Sequence, residues 1–178
     1  MLPTNFSRLR KCTLTAAIFA GCLFAVPAFA QSAPSGADFA VQAAIGDIFE
    51  IETGKLVEEK TSPNASKLAT SLAKDHAAML ADLKSLVQSG KVKAELPGSL
   101  DAALQQKFDK LKALKGGAFD KSYFDTQVSV QQDHVATFER YAKSGDNAEL
   151  KGFAAKYLPR LQQHLKAVRD IREVIMDE

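Results

Sequence analysis

From Asp38 almost to the C-terminus, apolar residues return at three- and four-residue steps in four long runs, with no sustained alternation of apolar and polar positions. That period fits one face of an α-helix, whereas alternation marks a half-buried strand. The chain is therefore expected to be all-α. A helix with a single apolar stripe must bury it against a neighbour, so four such runs predict a helical bundle.

The turn and cap residues divide the pattern. A first helix is expected from Asp38, as N-cap, to about Lys60, preceded by a flexible linker over 31–37. A second starts at Ser62-Pro63, an N-cap followed by proline in the first turn, and stops before Gly90. A shorter helix is expected over Ser99–Leu114, closed by Gly116-Gly117. A third long helix spans about Ala118–Lys143, and a fourth opens at Asp146 or Asn147. Pro159 removes a backbone donor and should kink or break that helix near Ala155. Tight loops make hairpins of the first and last pairs. The roughly 28 residues between the second and third long helices are enough for a crossover, so the expected architecture is a ferritin-like four-helix bundle with a short extra helix in its crossover.

Residues 1–30 are set apart from this domain. Arg8, Arg10 and Lys11 precede an apolar run over 12–26, and Ala28-Phe29-Ala30 is a small-x-small site, the three parts of a secretory signal peptide. Cleavage after Ala30 predicts a periplasmic or secreted protein with one domain over 38–177. A rival reading acylates Cys22 in "FAGC" and anchors the protein as a lipoprotein; Phe19 is bulky for that signal, and the apolar run continues beyond Cys22. Both cysteines lie in the leader, so the mature domain can form no disulfide and no thiolate metal site. Loss of three basic residues takes the formal charge from +2 to −1. No basic footprint for nucleic acid remains, and no remaining segment is apolar enough to span a bilayer.

The residues that carry chemistry stand inside the apolar stripes. On a helical wheel, His76 shares a face with Ala69, Leu72, Met79 and Leu83. His134 falls with Tyr123, Val130 and Phe138, and His164 with Phe153, Tyr157 and Val168. Glu50 lies on the stripe of Phe39, Ala43, Gly46, Thr53 and Val57. An unpaired buried carboxylate costs several kcal/mol or becomes neutral, so Glu50 needs partners, and three imidazoles are within the same core.

Two readings follow. In one, the cluster merely fixes helix packing in a non-catalytic envelope or stress-associated protein, acting alone, as a homo-oligomer or with an envelope partner. In the other, Glu50, His76, His134 and His164 hold a transition metal ion, with Tyr123 and Tyr157 behind them. Nitrogen and carboxylate donors without thiolate suit iron, manganese, zinc or copper. Di-iron bundles carry Glu-x-x-His on two helices, yet Ala73, Gln131 and Leu161 stand three residues before the histidines here, so a mononuclear site is the one this chain supports. At 1.5 Å per residue, Glu50, His76 and His134 share a level, but His164 falls roughly 10 Å away on a straight helix, where Tyr157 would replace it; a break at Pro159 would restore His164 to that level. Asp75 and Asp133 are expected to face water or pair with lysine. Acid–base catalysis by Glu50 and a histidine is the weakest reading.

The runs "AAIGDIFEIETGKLVEEKTSPNASKLATSLAKDHAAML" and "GAFDKSYFDTQVSVQQDHVATFERYAKSGDNAELKGFAAKYLPRLQQHL" resemble the bacterial exported proteins grouped as domain of unknown function 4142, which are similar to ferritins in fold. The marks are Glu50 in "FEIE", Asp75-His76, Tyr123 in "FDKSY", His134, and Pro159 with His164. The resemblance implies that these positions form one site and implies no reaction.

Overall fold

Ser35 caps the first helix. Its Oγ accepts from the Asp38 backbone N–H at 3.2 Å and donates to the Asp38 carboxylate at 2.7 Å, so the cap is Ser35 and Asp38 is its first-turn partner. The computed structural model describes residues 34–60 and 63–176. The leader, the cleavage position after Ala30, Cys22 and Ser62 lie outside them. Among the described residues there are five helices and no strand: α1 Gly36–Lys60, α2 Pro63–Gln88, α3 Ala102–Ala113, α4 Gly116–Ser144 and α5 Ala148–Met176. Gly36 and Ala37, expected in the linker, thus belong to α1.

Two expectations about helix ends and breaks change. Asp101 caps α3 through its carboxylate and the Leu104 N–H at 2.8 Å, so that helix starts at Ala102 rather than Ser99. Pro159 does not break α5, which continues without interruption to Met176. Pro159 and Ala155 are both exposed, so the carbonyl freed by the missing N–H lies on the solvent face, where water can satisfy it.

Contacts at the two ends fix the direction of each helix. At one end, Lys60 closes α1 by donating to the Lys112 carbonyl of α3 at 2.7 Å and lies over the Phe119 ring at the start of α4. At the other, Asn147, just before α5, donates to the Lys91 carbonyl beyond α2 at 3.2 Å. Helices α1 and α2 pack as one hairpin, α4 and α5 as another, with α2 against α5 and α1 against α4. The connection after α2 therefore travels the length of the bundle. Along the way Val92, Ala94 and Leu96 cover one end of the core, and Leu100, Leu104, Phe108 and Leu111 cover the other. Of these, Leu111 is fully buried.

The core is divided by a polar layer. One apolar layer gathers Phe39, Met79, Leu83, Phe138, Tyr141 and Phe153; the other gathers Phe49, Leu72, Phe119, Phe124 and Val168. Each such fully buried side chain contributes on the order of 1.5–3 kcal/mol. Between the layers, every long helix turns a polar side chain inward.

Candidate functional site

Four helices supply the polar layer. Asp47, Glu50 and Thr53 come from α1, His76 from α2, Gln127, Gln131 and His134 from α4, and His164 from α5; all are buried. Spacings of three and four residues keep each set on one helix face.

His76 is the hub. Its Nδ1–H donates to Asp47 Oδ1 at 2.8 Å, both side chains being fully buried. Its Nε2 accepts from the Gln131 amide at 3.3 Å. One neutral tautomer satisfies both contacts. The His134 ring stacks on His76, with centroids 5.3 Å apart and planes within 10°, and the His164 ring lies 5.4 Å away, tilted by 43°. All three histidines thus meet in one layer.

The expected 10 Å offset of His164 is not found. Pairing between α2 and α5 sets a different register from the one counted from the loop: Asp82 holds Lys156 at 2.6 Å and Tyr157 Oη at 2.5 Å, and Asp75 holds His164 Nε2 at 2.9 Å. Loop counting places helix ends, whereas side-chain pairing places helix faces. Two further corrections follow. Tyr157 does not stand in for His164 but donates to Asp82 at the surface. Asp75, expected to face water or pair with lysine, instead accepts from His164 and lies 3.7 Å from Arg160 Nε. Asp133 is exposed, as expected.

Glu50 is buried among the predicted partners without bonding to the imidazoles; the Gln127 and Gln131 amides lie beside its carboxyl, but neither closes a well-formed hydrogen bond to it. Burial above all pushes its pKa up to about 8, with the Asp47 charge adding to the rise and the Gln127 and Gln131 amides opposing it. Burial likewise pushes Asp47 up to about 8 against the pull of His134. His76 is pushed down to about 3, by burial and then by His164. Burial and then His76 take His134 down to about 4, and burial also lowers His164. The layer is accordingly neutral at neutral pH: protonated carboxyls and uncharged imidazoles. Tyr123, fully buried, has its phenol pKa raised by burial and by Glu50.

Asp47 and Gln131 are the partners that the stripe analysis passed over. Asp47 lies about 60° from Glu50 on the α1 wheel, and Gln131 precedes His134 by three residues on the same face. Gly46 makes room for the layer: a Cβ built there would overlap the His134 ring. Among the described residues, no group of three or more His, Cys, Asp or Glu side chains is placed to hold a metal ion. None of the described helices is long and apolar enough to cross a membrane.

The protein is thus an all-α helical bundle built around a buried Asp–His–Gln and Glu layer. It belongs to the family described as domain of unknown function (DUF4142), whose model matches residues 24–171. No curated protein and no solved structure matches it.

Proposed function

We propose that this is an exported, non-catalytic helical-bundle protein of the bacterial envelope, periplasmic after cleavage at Ala30, in which the buried histidine and carboxyl layer fixes how the helices pack. The connection order, two hairpins joined by a crossover carrying α3, is read as a ferritin-like topology. The observation that carries the structural role is the use of both His76 nitrogens within the protein, by Asp47 of α1 and Gln131 of α4. With Asp75 and His164 joining α2 to α5, these bonds tie all four long helices at one level. Buried polar networks of this kind specify register, because any sliding of one helix leaves several polar groups without partners.

A second reading rests on the groups left over. Both Glu50 oxygens, Asp47 Oδ2, both His134 nitrogens and His164 Nδ1 make no well-formed hydrogen bond, although the Gln127 and Gln131 amides lie beside Glu50 and the Ala43 carbonyl beside His134, whereas buried polar atoms are ordinarily paired. Their donor chemistry suits iron, manganese, zinc or copper. Their placement does not suit one: among the described residues no three such side chains converge as a metal ion requires, and both His76 nitrogens are already used within the protein.

Thermal melts of untagged protein separate the two. If the layer only fixes packing, the melting temperature is unchanged by each of the four metals. A metal-specific rise in wild type that Glu50→Gln abolishes would establish the ligand reading instead, since binding to the folded state alone stabilises by RT ln(1 + [L]/Kd).

A further inference from the structure

Helix α3 is joined to the bundle unevenly along its length. Its last turn is held: Leu111 is fully buried, and the adjacent Lys112 carbonyl accepts from Lys60 of α1 at 2.7 Å. Among the described residues that is the one hydrogen bond between α3 and a long helix. The first half rests on partial contacts alone. Leu104 and Phe108 are half-buried. Ala103, Leu104 and Lys107 line a cleft of about 260 Å³ whose opposite walls include Gly46 of α1 with Val130 and His134 of α4. Space between packed surfaces forfeits the dispersion contacts that would hold them together. The chain turns at glycine on both sides: Gly98, with open space where a side chain would lie, precedes α3, and Gly116, at φ +55°, follows it.

We propose that α3 is a hinged flap over the polar layer: its first half lifts from the seam between α1 and α4, pivoting about Leu111 and Gly116, and admits water to the His134 side of the layer while the four long helices stay folded. A segment with few buried apolar contacts opens at a free energy below that of global unfolding. Length favours this too, since a helix of 12 residues is marginal in water once detached. The seam beneath is the weak one, for α1 meets α4 far less extensively than the helices of either hairpin meet each other. In the closed state the His134 ring lies against Gly46 with both nitrogens sealed from solvent. Access to the polar layer is therefore governed by α3 rather than by the stability of the bundle, whichever role that layer has.

Reaction of N-ethylmaleimide with Val130→Cys and with Val168→Cys, read by mass on the peptide that carries the new thiol, tests it. Val130 stands in the cleft wall, whereas Val168 is fully buried on α5. Each is measured with and without Phe108→Ala; Phe108 packs on the core but does not line the cleft, so its truncation loosens α3 without widening the opening. The thiol at 130 should react at least about a hundredfold faster than the one at 168, and with a weaker dependence on urea, because flap opening exposes less surface than unfolding. Phe108→Ala should speed the reaction at 130 at least about tenfold by removing apolar contacts that close the flap. Equal rates at 130 and 168 would mean that only global unfolding uncovers the wall. A rate at 130 untouched by Phe108→Ala would mean that the reagent enters without movement of α3. Either result overturns the proposal. Should a cysteine variant fail to fold, amide exchange of wild type reads the same opening: the Phe108 N–H should exchange through an event with weaker urea dependence than that of the Phe138 N–H in α4, and an identical dependence rejects the flap.

Discussion

His76 and Asp47 share a 2.8 Å hydrogen bond in the centre of the bundle, with neither side chain exposed to solvent. An isolated ion pair at such a depth loses more in desolvation than it readily regains. With Asp47 raised to about 8 and His76 lowered to about 3, both by burial, the pair is held uncharged overall. It behaves as a directional clamp between α1 and α2 rather than as a source of Coulomb energy.

Near pH 4, where Asp47 gives up little to take its proton on folding, Asp47→Ala should cost about 1–3 kcal/mol by leaving the His76 Nδ1–H buried without an acceptor. Asp47→Asn, which keeps an oxygen in place, should cost less. In a cycle with His76→Phe, denaturant titrations should give a coupling of roughly 0.5–3 kcal/mol between the two sites. Additive effects would mean that the bond contributes nothing to register.

Gly46→Ala should destabilise by about 1–3 kcal/mol, since the new methyl overlaps the His134 imidazole and the packed core must shift. Combining it with His134→Ala removes the obstacle, so the double variant should be more stable than the sum of the single effects predicts. A Gly46→Ala melt identical to wild type would place the His134 ring elsewhere.

Pro159→Ala should raise stability by up to about 3 kcal/mol, the cost of proline in a helix interior. The reason is that α5 runs through Pro159 unbroken and the residue is exposed, so alanine restores a donor without disturbing the core. A lowered melting temperature would indicate that the proline shapes the helix in a way the core requires.

The helices were legible because apolar period and turn residues are local properties, and the burial of His76, His134, His164 and Glu50 follows from the same wheels. Partner choice was not legible, for a wheel reports which way a residue faces and not what faces it. Asp47 sits at the margin of the α1 stripe, where a carboxylate passes for a flank residue; only the approach of α2 makes it the acceptor for His76. The level of His164 depends on the pairing of Asp75 and Asp82 with α5, which has no trace in loop length. The continuity of α5 through Pro159 depends on which side of that helix faces water.

Stability as a function of pH, measured by denaturant unfolding of wild type and Glu50→Gln, tests most directly whether the polar layer is held neutral by burial. Asp47 and Glu50 keep their protons to about 8 when folded but lose them near 3.8 and 4.5 when unfolded, so across that interval the folded state holds more protons and stability falls as pH rises. His76 and His134 stay uncharged to about 3 and 4 when folded and protonate near 6.5 when unfolded, so their contribution rises with pH up to 6.5 and offsets the carboxyls there. Above 6.5 only the carboxyl effect remains. Wild type should therefore lose stability between pH 6.5 and 8, by up to about 1.4 kcal/mol per pH unit for each carboxyl. Glu50→Gln should lose less and be the more stable protein at pH 8. Wild-type stability that rises over that interval, or a Glu50→Gln protein weaker than wild type at pH 8, would show that the folded chain requires an ionised Glu50 and would contradict a neutral packing layer.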